Sequence, residues 1–443
     1  MRYSPSAQTD IAPLAVFRIA FGAMMTAGTL RFMLLDWIEE HYTAPLFHFH
    51  YYGFEWIQPL GVTGMYAVHV LMLLGAVGMM LGAYYQLSAL IFFITFTYTE
   101  LIDVTYYLNH YYFVSIVALV MIFLPAHRYC SWDVKRNPQL EVDSIPRWCI
   151  DVIKLQTAIV YTYAGLAKIN SDWLLEALPL LIWLPAQDKL PLIGPLMSYP
   201  TTAYVFSWIG MLYDCTIVWW LMNRTTRPWA YASVIVFHVI TGMLFQIGIF
   251  PLVMMTTTLI FFSDAFQRKL LRLVNQNISA TCAYEKPLTY VTRKTKTAYA
   301  LLAAHFTFQL MFPWRFMLYP GKLFWTEQAY RFGWRVMLME KAGTATFYVQ
   351  DARTGKEGIV VNSEFLNQHQ EKQMAFQPDM ILQFAHHLKA WYEQHDVPVQ
   401  KIRAEVYVTL NGKPSRLYID PQVDLTQLHD SWKHKNWILP LEN

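Results

Sequence analysis

IAPLAVFRIAFGAMMTAGTLRFMLL, residues 11–35, holds two arginines and otherwise almost nothing that prefers water. About 20 largely apolar residues in a helix cross the hydrocarbon of a bilayer. The apolar core of a cleavable signal is shorter, about 7–15 residues, so this run reads as a retained span. Comparable runs recur near 62–84, 86–106, 109–125, 150–169, 202–222, 229–247, 251–267 and 297–314. The seventh and eighth come from one apolar stretch, 229–262, too long for one ordinary crossing, in which Gly248 and Pro251 supply a break. Lipid offers no partners to open backbone groups, so the runs must be helical. The expected fold is an α-helical integral membrane bundle of about nine transmembrane helices, in a multi-pass protein whose first partner is the lipid bilayer.

Composition agrees. Of 443 residues, 55% are apolar and 15% charged, against about 25% charged in soluble domains. A disordered chain, a collagen-like chain and an ordinary cytosolic enzyme are excluded. The net charge of +3 is too mild to make nucleic acid the partner. The charge is uneven: 36 charged residues lie in 1–314 and 29 in 315–443, about 11% and 22% of the two stretches. The chain therefore divides into a transmembrane domain, 1–314, which carries the candidate site, and a water-facing domain, 315–443.

Loop charge orients the spans. The connections 127–149 (Arg128, Lys135, Arg136, Arg147), 222–228 (Arg224, Arg227) and 268–296 (Arg268, Lys269, Arg272, Lys286, Arg293, Lys294, Lys296) are basic. In contrast, 36–61 has no Lys or Arg, and 170–201 has only Lys189. Nine spans put all three basic connections in the cytoplasm and the C-terminal domain outside it. That domain reads as small and β-rich, β-sandwich-like, with one helix. RFGWRVMLME (331–340) and TATFYVQ (344–350) have strand composition. EVYVTL (405–410) and RLYID (416–420) flank the hairpin signal Asn411-Gly412, and MILQFAHHLKAWYEQ (380–394) has helical spacing after Pro378.

Polar groups inside spans are costly and functional by default. Lys168, in YTYAGLAKINSDW (161–173), stands at the outer end of the fifth span, where it either snorkels to the interface or serves chemistry. His110, in YYLNHYYF (106–113), stands at the outer start of the fourth, either within an aromatic belt or in a site. The topology brings both to one level beneath the outer domain. FHVITGMLFQIGIFPL (237–252) adds His238, Thr241 and Gln246 beside the helix break; they either line a cavity or glue helices together. Glu100 and Asp103 share a helix face and are expected to pair with Arg18 or Arg31. The four cysteines are scattered, and P-loop, GxGxxG and HExxH motifs are absent from the sequence. No metal is expected.

A lysine with its reference pKa of about 10.4 is no base at neutral pH, but desolvation favours its neutral amine. A buried Lys168 could then take a proton from a hydroxyl such as a quinol's, with an imidazole stabilising the negative charge that develops. A membrane quinol suits apolar walls.

With these residues assembled, the chain resembles the vitamin K-dependent gamma-carboxylase family, in the short form of bacterial relatives built on the horizontally transferred transmembrane domain. NHYYF resembles the family's Asn-His pair, AGLAKINSDW its lysine motif, and FHVITGMLFQIGIF its stretch near the quinone cavity. RFGWRVML, DARTGKEG and YIDPQVDL followed by NWILPL resemble its C-terminal β-domain. The resemblance implies Lys168 as the base that deprotonates vitamin K hydroquinone, or a related membrane quinol. It implies His110, beside Asn109, as the histidine at the reacting centre, and His238, Thr241 and Gln246 near the cofactor. It also implies O2 and CO2 as co-substrates, with epoxidation of the quinol coupled to carboxylation of a glutamate-containing protein or peptide. The setting it implies is a bacterial inner membrane. Two other functions stay open: a quinol epoxidase that does not carboxylate, and a non-enzymatic membrane receptor or scaffold.

Overall fold

The structure, a computed structural model, describes residues 4–288 and 292–441; among the basic residues of the third connection, the Arg293 and Lys294 side chains fall outside the described ones. The N-terminal region is helical: α1 (Ala12–Leu34), α2 (Val62–Leu81), α3 (Tyr85–Ile102), α4 (Asn109–Phe123), α5 (Trp148–Ala167), α6 (Pro200–Met222), α7 (Arg227–Leu244), α8 (Phe250–Thr258), α9 (Asp264–Val274) and α10 (Thr292–Met311). Four of them, α1, α2, α3 and α6, are long and apolar enough to cross a membrane. Nine crossings are not confirmed. At 15 residues, α4 rises only about 22 Å, short of the roughly 30 Å hydrocarbon. The predicted eighth span does not run on to 267. It ends at Phe261, and α9 leaves at 118°, because Ser263 accepts a hydrogen bond from the Phe266 amide and caps a new, charged helix.

The basic connections gather at one end. Arg268 of α9 holds Asp10 at 2.5 Å and donates to the Tyr129 hydroxyl at 3.0 Å. There β1 (Gln8–Asp10) pairs with β2 (Ser144–Pro146), and Lys286 meets Glu141 at 2.8 Å. Arg18, fully buried, pairs with neither Glu100 nor Asp103. Its guanidinium donates to the carbonyls of Met79 (3.0 Å), Met80 (2.5 Å), Ala126 (3.0 Å) and Cys130 (2.6 Å). The end of α2 leaves carbonyls without intrahelical partners, and these lie closer than any acid. Arg31 lies over the Trp37 ring instead, and Asp103 accepts from Thr105 and from Gln370 of the outer unit.

At the other end sits the C-terminal unit, one antiparallel sheet in the order β4 (Glu357–Ile359), β3 (Lys341–Asp351), β5 (Val399–Leu410), β6 (Arg416–Leu417). The strand period of two is plain in β5, where Ile402, Ala404, Val406 and Val408 are all fully buried. They pack against α12 (Pro378–Gln394) through Ile381, Phe384 and Leu388, and α11 (Gln368–Met374) precedes it. Among the described residues this unit is one sheet with helices, not a sandwich, and it has two regular α-helices of seven or more residues where one was expected. The stretch 331–340 forms no strand. Phe332, Trp334 and Met337 take φ of +59°, +57° and +52°, which breaks any ladder.

The two parts share a core. Phe49, Tyr51 and Val104 from the helical part pack with Phe347, Phe384 and Trp325. Polar ties reinforce the seam: Gln383 bonds both backbone groups of His50 at 2.8 and 2.9 Å, Asn411 reaches Asp172 at 2.8 Å, and Trp183 reaches Glu340 at 2.5 Å. The lid is thus held on by side chains and cannot swing freely from one linker.

Candidate active site

Lys168 closes α5 as its C-cap. One turn earlier stands Gly165, where an added Cβ would lie 2.7 Å from the Cys215 backbone nitrogen. Only a glycine allows α5 and α6 to approach this closely. The approach puts Asp214 against Lys168: the ammonium donates to Asp214 Oδ2 at 2.8 Å and to the Ala164 carbonyl at 3.2 Å, and lies 5.4 Å from the Trp173 ring centroid. Both side chains are 8% exposed. Lys168 is therefore dry, and it is not solitary. The sequence reading missed Asp214. Its signal was an acid inside the apolar run MLYDCTIVWW (211–220), which demands a partner.

The pair lines a small cavity of about 90 Å³ with His238, Thr241, Tyr161, Phe206 and Phe250. His238 Nε2 shares a hydrogen bond with the Tyr161 hydroxyl at 2.9 Å, while its Nδ1 is buried without a partner. Thr241 donates to the His238 carbonyl at 3.2 Å, a bond within its own helix.

His110 lines a separate cavity of about 530 Å³, within the range of small-molecule sites. It is 5% exposed, and its Nε2 is buried with no hydrogen-bond partner. Asn109 beside it donates to the Arg335 carbonyl at 2.7 Å and accepts from Tyr107, fixing the start of α4 to the outer unit. Phe32, Trp37, Tyr42 and Phe96 give this cavity flat apolar walls, and Gln246 lines it while remaining exposed.

Lys168 and His110 do not meet. Their cavities adjoin, and Ile247, Phe250, Val336 and Met337 line both. The Phe250 ring sits 5.7 Å from the His110 ring and 5.6 Å from that of His238. Half of this wall comes from the helix break, where Gly248 takes φ +59° between α7 and α8. The other half comes from the loop with three left-handed non-glycine residues, each costing about 1–3 kcal/mol of strain. Buried Trp334 anchors that loop by stacking on Tyr112 at 4.9 Å.

A third cavity, about 640 Å³, runs between bundle and lid past Tyr51, Phe312, Arg315, Arg331 and Trp432. Glu100, Tyr107 and Tyr330 line it and the His110 cavity alike. Arg331 grips Asp379 at 2.5 Å. Burial works against the Asp379 carboxylate, yet the Arg331 charge and hydrogen bond outweigh it and hold its pKa below the usual range. Burial pushes Arg315 down to about 10, still cationic at neutral pH. Among the described residues, no group of three or more His, Cys, Asp or Glu side chains could hold a metal ion.

Comparison with known proteins places these features in a lineage. Residues 6–266 match the HTTM domain, and residues 294–443 match the vitamin K-dependent gamma-carboxylase lumenal domain. No solved structure matches the chain. Two adjacent matches in this order, covering most of the sequence, establish that the chain belongs to the vitamin K-dependent gamma-carboxylase family.

Proposed function

We propose that the protein is a gamma-glutamyl carboxylase-like enzyme that oxidises a membrane naphthohydroquinone with O2 and carboxylates a glutamyl side chain with CO2. One observation carries the reading. An unpartnered, buried imidazole nitrogen, His110 Nε2, lies on a quinol-sized aromatic cavity, and the next cavity holds a dry amine–carboxylate pair.

The hydroquinone, when bound, supplies the reducing electrons and, on conversion to its 2,3-epoxide, a base strong enough to remove a glutamyl γ-proton. Phe32, Trp37, Tyr42 and Phe96 would hold its flat ring system. The fit is supported by the orphaned His110 nitrogen, since a buried polar atom without a partner is costly and a quinol oxygen would satisfy it. Lys168 and Asp214 act as one unit. The amine is the group that takes the quinol's proton, and the Asp214 carboxylate, 2.8 Å away, holds the ammonium that results. His110 donates toward negative charge at the reacting centre. The buried walls and the lid exclude water, which strengthens each of these interactions.

The test is purified protein in nanodiscs with vitamin K hydroquinone, O2, a glutamyl peptide and labelled bicarbonate. Epoxide and label incorporated together are expected, and Lys168→Ala abolishes both. Epoxide without label would reduce the activity to epoxidation. No quinol consumption by the wild-type chain would reject the reading.

A further inference from the structure

Two guanidinium groups at the seam between bundle and lid have no carboxylate within salt-bridge distance among the described residues. Arg335 is 8% exposed and lines the 530 Å³ cavity. Its hydrogen bonds go to the Pro313 and Gly333 carbonyls, all at 3.4 Å, and it lies 4.5 Å over the Phe316 ring. These bonds are long for N–H donors, and a guanidinium has five such hydrogens in a rigid fork. Arg315 donates to the Phe312 carbonyl at 3.1 Å and the Arg331 carbonyl at 2.5 Å, and lies 3.9 Å over the Phe312 ring. Neighbouring Arg331 is different, because Asp379 matches it. The acids of the same cavity do not neutralise Arg335. Asp103 is engaged by Thr105 and Gln370, and Glu100 makes no ion pair within 4 Å among the described residues.

A buried cation left without an anion is costly, and a fork satisfied only by long carbonyl contacts is open to a better acceptor. The location points the same way. His110, whose Nε2 is assigned above to the quinol oxygen, stands on the wall of this cavity, so a carboxylate held by Arg335 lies beside the reacting centre. The Asn109 bond to the Arg335 carbonyl at 2.7 Å ties the two residues into one wall.

We propose that Arg335, with the field of Arg315 behind it, is a carboxylate-recognising subsite for the acidic side chain of a peptide lying in the 640 Å³ groove. That groove offers Tyr51, Tyr52, Phe312 and Trp432 to an extended chain. At Glu100, Tyr107 and Tyr330 it shares its wall with the inner cavity, so one side chain can reach inward. A planar carboxylate meets the fork with two parallel bonds, which a carboxamide cannot do. The assignment deepens the proposed carboxylase reading and rests on its glutamyl substrate.

Binding tests it without turnover. A fluorescent peptide carrying one Glu, and its Gln counterpart, are titrated by anisotropy into the full chain in detergent with no quinol present. The wild type is expected to prefer Glu by about 10-fold or more. Arg335→Gln removes the preference, and Arg335→Lys, which keeps the charge and loses the fork, retains a reduced one. Equal binding of the two peptides by the wild type, or an unaltered preference in Arg335→Gln, overturns the proposal. Should Arg335→Gln fail to fold, unchanged Glu affinity in Arg335→Lys overturns it equally. Bicarbonate displacing the peptide in competition would assign the fork to the small anion and also overturn it. A Glu preference in a protein that makes no epoxide sustains the subsite and rejects the catalytic reading, so the two failures are distinct.

Discussion

Asp214 offers a decisive perturbation, because stability and catalysis respond to it differently. Its carboxylate and the Lys168 ammonium are 2.8 Å apart and each side chain is 8% exposed. Removing one partner strands a buried charge, at about 3–5 kcal/mol. Replacing both with apolar groups of similar volume removes the desolvation penalty along with the attraction, and is often neutral. Asp214→Asn and Lys168→Met should therefore each lower stability by about 3–5 kcal/mol, and Lys168→Met/Asp214→Leu should recover most of that loss. Stability is read in detergent from the thermal exposure of the buried Cys149 thiol to a reactive dye, and catalysis from epoxide formation on the same samples. The expected outcome is a double variant that folds like the wild type and makes no epoxide. A double variant that regains both, or an Asp214→Asn protein unchanged in both, would refute the idea that this pair is the proton-accepting unit.

Other substitutions probe the scaffold. Gly165→Ala places a Cβ 2.7 Å from the Cys215 nitrogen; separation of α5 from α6 should cost about 1–3 kcal/mol and weaken epoxide formation, measured on the same two readouts. Arg18→Lys replaces a planar fork by a flexible point donor, gives up at least one of the four carbonyl bonds that Arg18 makes and should cost about 1–3 kcal/mol, seen as a lower unfolding temperature with KM unchanged. Asp379 has a folded pKa below its unfolded value, so its contribution is complete above the unfolded value of about 3.9 and is lost as pH falls through the folded one. Denaturation curves should show wild-type stability falling below about pH 4 more steeply than that of Asp379→Asn, which is weaker at neutral pH. In the lid, burial lowers the pKa of Lys341 and raises that of Glu327 across their 2.8 Å contact. Lys341→Met alone should destabilise by about 3–5 kcal/mol, and Lys341→Met/Glu327→Leu by much less.

How far the sequence could be read depended on whether the signal was local. The break at Gly248 and Pro251 and the hairpin at Asn411 and Gly412 are consecutive residues acting on their own backbone, and each is found where expected, whereas only four of the helices are long and apolar enough to cross a membrane. Lys168 and His110 were recognisable as charges or imidazoles in costly places, and both are buried. Partners were not recognisable. Asp214 is 46 residues from Lys168, and no periodicity links them. Arg18 was matched to Glu100 and Asp103, acids in another span, although carbonyls at the end of α2 stood closer in space. The stretch 331–340 misled because a composition rich in aromatic and apolar residues suits a cavity wall as well as a strand. The lid's core could not be read from residues 315–443 alone, since Phe49, Tyr51 and Val104 complete it.

Apart from Phe250, the first residue of α8, the wall between the Lys168 and His110 cavities is irregular backbone, residues 245–249 and the loop around Val336 and Met337. Near a bilayer, backbone without regular hydrogen bonding persists only where protein surrounds it or a cavity meets it. The strain in the second segment has no use in holding the sheet, which begins only at Lys341. Each segment comes from a different part of the chain, one from the helical bundle and one from the lid, and they touch the same two cavities. Docking of the lid is therefore what completes the wall. Loss of the seam contacts at His50, Asp172 or Glu340 would reach the chemistry by displacing Val336 and Met337, without altering any group that handles a proton.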